Sequence, residues 1–223
     1  MQRHFHEELR DLNQKLGEMG ALVERRTHQA MRALIERRHD LAEVVATGDQ
    51  EVNELELEVD DMTLRLLALQ HPVASDLRHV RSAIKVNTDL ERIGDQAVNI
   101  AEATLRLITL PPLRPTIDLA RLSEISEGMV HDAMRAFLEQ DVALARSVLL
   151  RDDDADASRD SIFRVLLTHM MADPGTVERA LGLIFVARSL ERIADHATNI
   201  AEDLIFLVEG RVVRHHADQR DAR

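Results

Sequence analysis

Apolar residues recur at three- and four-residue steps along the first part of the chain, which is the stripe of an amphipathic helix. This first helix is predicted to end near Arg37 or Arg38, and Asp40 is expected to cap a short helix that ends near Thr47-Gly48. The apolar stripe of the first helix comprises Leu9, Leu12, Leu16, Met19, Leu22 and Val23.

Two longer helices are predicted in the rest of this first half. One starts at Asp49 and ends at His71-Pro72, because the residue before a proline is displaced from helical backbone geometry. The next runs from about Ala74 to Leu110. Prolines then break the pattern and indicate a linker at Pro111, Pro112 and Pro115.

The second half of the chain repeats this plan. HQAMRAL at 28–34 returns as HDAMRAF at 131–137, and Pro72 corresponds to Pro174. A repeat of this length predicts an all-α fold, in which two similar three-helix bundles pack side by side. We expect one bundle at 1–111 and the other at 112–211, followed by a charged, frayed tail at 212–223.

The most informative repeat is acidic. DLERIGDQAVNIAE at 89–102 returns as SLERIADHATNIAE at 189–202, with ten of fourteen positions identical. On a helical wheel the first copy places four polar residues within about 80° of one another, opposite the apolar ones. Each copy is therefore predicted to present an outward-facing polar stripe, formed by Glu91, Asp95, Asn99 and Glu102 and by Glu191, Asp195, Asn199 and Glu202.

The preceding helix offers a second polar face. Asn53, Glu56 and Asp60 lie at positions i, i+3 and i+7, so that an antiparallel pair of helices would gather carboxylate and amide oxygens. Such donors suit Mg, Ca, Mn or Fe, and Zn less selectively. The alternative is an ordinary solvated helix face, on which acidic residues need no ligand.

The second copy of this face has weaker donors. At an offset of 103 residues, Asn53 corresponds to Asp156, but Glu56 corresponds to Arg159 and Asp60 to Phe163. Asp160 and the run Asp152–Asp154 could compensate for this loss, although that run could instead serve only to start a helix by capping. We therefore expect the two sites to differ in occupancy or affinity.

Net charge and composition exclude several classes of function. The formal net charge is −12, which argues against nucleic acid and favours cationic partners or metal ions. There is no cysteine, which excludes disulfides and thiolate chemistry, and no P-loop, HExxH or GxSxG motif. The start lacks the apolar region of a signal peptide and the longest apolar stretch is short, so we expect a cytoplasmic protein without membrane insertion.

The doubled LERI[GA]D…NIAE segment, with QHPVASDLRHV at 70–80 and MMADP at 170–174, resembles the PhoU family from about residue 4 to residue 216. The resemblance implies two three-helix bundles with metal clusters on surface carboxylate motifs. It also implies a non-enzymatic, often dimeric cytoplasmic regulator of phosphate homeostasis. Such regulators link the ATPase subunit of the phosphate ABC transporter to the phosphate sensor histidine kinase, and they restrain both uptake and the phosphate-starvation regulon.

Carried over by motif, the resemblance implies two grades of metal ligand, with Fe, Zn, Mn or Mg as the candidate ions. The principal ligands would be Glu91, Asp95, Asn99, Glu191, Asp195 and Asn199. The secondary ligands would be Glu102, Glu202, Asn53, Glu56, Asp60, Asp156 and Asp160. Two other functions stay open on the same residues: a metal-dependent phosphohydrolase, in which paired metals activate water, and a metal-storage bundle.

Overall fold

The computed structural model describes residues 2–70, 73–113 and 117–213, and side chains within these ranges from residue 5 to 69 and beyond 72. His71, Pro72, Pro115 and most of the predicted tail lie outside the described residues. The first half contains α1 (Gln2–Glu36), α2 (His39–Ala46), α3 (Gln50–Gln70) and α4 (Ser75–Leu107). The second contains α5 (Leu119–Glu139), α6 (Val142–Leu149), α7 (Asp152–Ala172), a 3-10 turn (Pro174–Thr176) and α8 (Val177–Glu209).

The all-α prediction is confirmed, since every regular element in the described ranges is helical. None of these helices combines the length and the apolar character that crossing a membrane requires. Helix α4 ends at Leu107, three residues before the predicted end. The prediction that Asp40 caps α2 is wrong: the cap position is Arg38, and Asp40 lies in the first turn, where its carboxylate accepts a 2.8 Å hydrogen bond from Arg38 Nε.

Three pairs of corresponding helices have equal lengths: 8 residues in α2 and α6, 21 in α3 and α7, and 33 in α4 and α8, whereas α1 has 35 residues and α5 has 21. In each half two long helices pack on the motif-bearing helix, α1 and α3 on α4, and α5 and α7 on α8. At the contact between the motif-bearing helix and its neighbour, the two halves combine side chains of different size. Gly94 lets α4 approach Val52 of α3, and a Cβ at Gly94 would lie 3.1 Å from Val52 Cγ1. Ala194 and Ala155 hold the corresponding buried positions.

The apolar side of each motif forms the core, as the helical wheel predicts. These side chains have no exposed surface in either copy. They belong to one continuous core that spans both halves, so neither bundle has a separate hydrophobic interior. The residues concerned are Leu90, Ile93, Ala97, Ile100, Leu190, Ile193, Ala197 and Ile200.

Helices α4 and α8 pack antiparallel along a seam at the centre of the molecule. Ser82 Oγ near the start of α4 donates to the carbonyl of Asp203 near the end of α8, at 3.1 Å. Further along α4, Asp89 Oδ1 lies 2.8 Å from His196 Nδ1, earlier in α8. Burial raises the pKa of Asp203, and the ammonium of Lys85, 3.3 Å away, offsets part of that effect. The seam thus holds two buried carboxylates, each with a partner from the other half.

Helices α1 and α5 contact each other through a reciprocal pair of contacts. His28 Nδ1 lies 3.0 Å from Glu127 Oε2, and His131 Nδ1 lies 3.3 Å from Glu24 Oε2. His28 corresponds to His131 and Glu24 to Glu127 at an offset of 103 residues. An exchange of this kind is the signature of a twofold relation, so the halves are arranged like the subunits of a symmetric dimer.

The shared core yields a stability prediction. Ile193 is fully buried in α8, so Ile193→Ala should lower the free energy of unfolding by about 2–5 kcal/mol through lost burial and a residual cavity. Ile35→Ala makes the same chemical change at a side chain that is 59% exposed, and should cost less than about 1 kcal/mol. Urea unfolding followed by circular dichroism measures both. Equal losses would contradict the placement of Ile193.

Candidate acidic sites on the α3–α4 and α7–α8 faces

Four carboxylates meet where the start of α3 faces the middle of α4. This first acidic cluster consists of Asp49, Glu56, Glu91 and Asp95. Burial raises the pKa of Glu91, and Asp95, Glu56 and Asp49 raise it further, whereas the neighbouring Arg92 lowers it in part. The pKa of Asp95 is raised by burial and then by Asp49. These shifts identify a patch in which negative charge is only partly balanced.

The turn before α3 fixes Asp49 in this cluster. Asn53 Nδ2 donates to Asp49 Oδ2 at 3.0 Å, one helical turn further on. The turn itself packs on Arg26, whose guanidinium passes so close to Gly48 that a Cβ there would lie 2.2 Å from Nη1. Arg26 then reaches Glu51 at 3.0 Å. A side chain at this position would displace the Arg26 guanidinium and would also lie 2.8 Å from the backbone oxygen of Val44, so glycine suits this turn.

Asn87 links the two helices at the other end of the cluster. Its Nδ2 donates to the carbonyl of Glu56 at 3.0 Å and to Asp60 Oδ1 at 3.1 Å. The side chain is 1% exposed, and its Oδ1 has no hydrogen-bond partner among the described atoms. Asp60 is thus held by Asn87, and an unsatisfied acceptor lies beside it.

The second acidic cluster lies where α7 faces α8. It consists of Asp152, Asp156, Asp160, Glu191 and Asp195. The pKa of Asp195 is raised to about 6, first by burial and then by Glu191, Asp152 and Asp156, while His196 lowers it. This cluster contains a cation of its own, because the guanidinium of Arg159 lies among its carboxylates.

The remaining members of each predicted stripe are not gathered into these clusters. Asn99 Nδ2 bonds Gln96 Oε1 on its own helix at 3.5 Å, and Asn199 Nδ2 donates to Asp89 Oδ1 across the seam at 3.1 Å. Glu102 lies about 16 Å along α4 from Glu91 by helical rise. Glu202 lines a groove of about 260 Å³ between α4 and α8, together with Lys85, Thr88, Asp89, Arg92, Asn199 and Asp203.

The chemistry of the first cluster fits a hard cation. Its donors are carboxylate oxygens from two helices, and the amide oxygen of Asn87 is available next to them. Within the described residues, however, no three Asp, Glu or His side chains are already gathered as a metal site. Binding would require the carboxylates of the first cluster to turn toward a common point, where the positive charge of the cation would offset their mutual repulsion.

The sequence analysis interprets Asp49 only as the start of a helix and so misses it as a member of the first site, whereas it already offers Asp152 as a compensating carboxylate. Each acidic side chain faces the motif of its own half. The spacing of these residues in the sequence indicates which helix face they share with the other cluster positions. Asp49 lies seven residues before Glu56, and Asp152 lies seven before Arg159, a separation that returns a side chain to the same helix face.

The raised pKa of Asp195 predicts a pH-dependent stability difference. Between the ordinary value of 3.8 and about 6 the folded chain holds this proton more tightly than the unfolded chain, so stability falls as the pH rises through that window. Asp195→Asn should raise the free energy of unfolding at pH 7 by less than about 1 kcal/mol, because the side chain is only partly shielded and solvent screens much of the repulsion. At pH 4, close to the ordinary pKa of 3.8, most of this gain should be lost. Urea unfolding at both pH values in EDTA measures this, and an equal gain at both would contradict it.

Comparison with known proteins places this arrangement in a family. The PhoU domain family model matches twice, at residues 16–104 and 119–204. The phosphate-specific transport system accessory protein PhoU homolog of Caulobacter vibrioides is 38% identical over 209 residues, covering 93% of this chain and 91% of that protein. Its homolog in Pseudomonas aeruginosa is 40% identical and covers 96% and 88%.

Solved structures agree with the sequence comparison. The crystal structure of PhoU from Pseudomonas aeruginosa superposes with a TM-score of 0.89 at 39% identity, covering 93% of this chain and all of that one. The phosphate transport system regulatory protein PhoU from Streptococcus pneumoniae gives 0.88 at 29% identity, with 95% of this chain covered. With two domain matches and relatives of this identity over nearly its whole length, the chain belongs to the PhoU family.

Proposed function

We propose that this chain is an accessory protein of phosphate-specific transport, and that it negatively regulates the phosphate-starvation regulon and high-affinity phosphate uptake. The observation that carries the proposal is the match over 93% of the chain, through both halves, to relatives named as phosphate transport accessory proteins. A match confined to one bundle would indicate only that this chain has a domain in common with those relatives. Because the match extends through both bundles, it supports the same role for this chain.

The chain acts as a cytoplasmic adaptor and catalyses no reaction. Its partners are the ATPase subunit of the phosphate ABC transporter and the phosphate sensor histidine kinase. The placement of the clusters supports a docking role: both lie on outer flanks of the α4–α8 seam, and Asp95 and Asp195 are solvent-exposed. Side chains in such positions can meet the surface of another protein directly.

The first cluster is the docking site that we assign to a metal ion. Asp49 from the turn before α3 and Glu56 from α3 would hold the ion together with Glu91 and Asp95 from α4. When bound, a divalent or trivalent ion such as Mg, Mn, Fe or Zn supplies positive charge that attracts an acidic or phosphorylated partner. Without it, the cluster repels such a partner.

The second half supports assembly into a homodimer. Exposed apolar side chains lie on α7 and α8 where the first half has Asp60, Leu64, Ala68, Arg81 and Lys85. Apolar surface of this kind marks protein contacts, and we assign it to a second copy of the chain. The side chains concerned are Phe163 (45% exposed), Leu167 (42%), Met171 (79%), Leu181 (44%) and Phe185 (60%).

Removal of the chain should switch on phosphate-starvation genes in phosphate-rich medium. A reporter under a phosphate-starvation promoter measures this in a deletion strain. Expression of Glu91→Gln/Asp95→Asn should fail to restore silencing, because the docking charge is lost. Glu54→Gln, an exposed carboxylate on α3 outside the cluster, should restore it.

A silent reporter in the deletion strain would contradict the regulatory role. Turnover of phosphoesters by metal-loaded protein, abolished by Glu91→Ala, would favour the phosphohydrolase instead. Normal silencing by the Glu91→Gln/Asp95→Asn chain would remove the first cluster from the docking surface while leaving the adaptor role in place.

Phe185→Lys should weaken the homodimer, because it places the first half's residue in the apolar surface of α8. Sedimentation velocity over a concentration series should show wild-type dimers and a shift of Phe185→Lys toward monomer. Val44→Lys makes the same change at a 61% exposed valine on α2 and should leave the distribution unchanged. A wild-type chain that stays monomeric throughout the series would contradict this assignment.

A further inference from the structure

The guanidinium of Arg159 is bonded to three carboxylates of the second acidic cluster. Its Nη2 lies 3.1 Å from Asp156 Oδ1 and 3.4 Å from Glu191 Oε1, and its Nη1 lies 2.7 Å from Asp160 Oδ1. These partners come from both α7 and α8, so Arg159 bridges the two helices. Charge-assisted bonds of this kind are among the stronger polar contacts in proteins.

In the first half a carboxylate holds the position of Arg159. The register is fixed by burial, because Val52 and Ala155 are both 1% exposed, and Val59 and Ile162 are also both buried. Each pair is separated by 103 residues, and the same offset pairs Glu56 with Arg159. The corresponding positions therefore hold a carboxylate in the first half and a guanidinium in the second, a difference of two charges at a single site.

The bridge changes what the cluster can bind. A guanidinium stays charged at any physiological pH and offers five donors that match carboxylate oxygens. Arg159 already occupies oxygens of Asp156, Asp160 and Glu191. A metal ion placed among these carboxylates would also be repelled by the positive charge of the guanidinium. The residues of the second cluster therefore do not fit the metal that the family resemblance implies there.

We propose that Arg159 is a tethered cation that takes the place of a metal ion in the second acidic cluster. The chain then binds metal at the first cluster alone, a consequence that rests on the metal site assigned under the proposed function. The α7–α8 face is assembled permanently by a side chain, whereas the α3–α4 face depends on an exchangeable ion. Only one half of the molecule then responds to metal supply.

Reciprocal substitutions test this inference. Arg159→Glu gives the second cluster the carboxylate of the first and should add a further set of bound Mn²⁺ ions to the wild-type stoichiometry. Glu56→Arg places a guanidinium in the first cluster and should abolish wild-type binding. Arg164→Glu makes the same charge change at an exposed position of α7, outside the cluster, and should bind as wild type does. Isothermal titration of chelator-treated protein with Mn²⁺ measures all four chains.

In Arg159→Glu, repulsion among the carboxylates of the second cluster could prevent folding without metal. Thermal unfolding of a second variant, Arg159→Ala, tests the inference in that case. In Arg159→Ala the carboxylates lose their counter-ion, so its melting temperature should drop without metal and recover on addition of Mn²⁺. The recovery should exceed the Mn²⁺-induced rise of the wild-type chain. Asp195→Asn in the Arg159→Ala background should reduce it.

The outcomes separate this inference from the proposed function. The inference is overturned if Arg159→Glu folds and binds no additional Mn²⁺, or if the recovery of Arg159→Ala does not exceed the Mn²⁺-induced rise of the wild-type chain. It is also overturned if Asp195→Asn lowers the Mn²⁺ stoichiometry of the wild-type chain. If the wild-type chain binds no Mn²⁺ while Arg159→Glu does, the metal site of the first cluster fails and the role of Arg159 stands.

Discussion

The antiparallel packing of α4 against α8 is the constraint on which the rest of the structure depends. Each helix buries a full apolar face, and the seam places Asp89 against His196 and Asp203 against Lys85. A buried carboxylate that lost its partner would be costly, so these pairs fix the register of the two helices. Because both helices carry the repeated motif, the seam also fixes where the motif carboxylates point: away from the centre, toward α3 in one half and α7 in the other.

The two halves have similar backbones, but their acidic clusters contain different side chains. The first cluster has carboxylates from the α3 side and from α4, and the adjacent Arg92 offsets part of the charge around Glu91. The second has Arg159 within it, and its apolar neighbour Phe163 stands where the first half has Asp60. A duplicated fold therefore supports two different surfaces: an acidic face on the first half, and on the second half an acidic face that contains a guanidinium and lies next to exposed apolar side chains. An adaptor with two unlike partners would use such an asymmetry.

Much of this architecture follows from the chain itself. The repeat and the period of its apolar positions predict the helices and the buried side of the motif, since both depend on angles within one helix. The partners of individual side chains do not follow in this way. Asn199 lies at the edge of the predicted stripe. Its amide donates a hydrogen bond to Asp89 because α8 packs beside α4, and the sequence pattern does not reveal this packing. Likewise the charge of Arg159 is visible in the sequence, but its bridge to Glu191 depends on how closely α7 approaches α8.

The central claim is that the two acidic clusters differ because one already contains its cation. Anomalous diffraction from crystals of the wild-type chain grown with Mn²⁺ tests it most directly, since the signal locates each ion. The account predicts anomalous density between Asp49, Glu56, Glu91 and Asp95, with none among the carboxylates around Arg159. Density in the second cluster, with Arg159 displaced from Glu191, would contradict it.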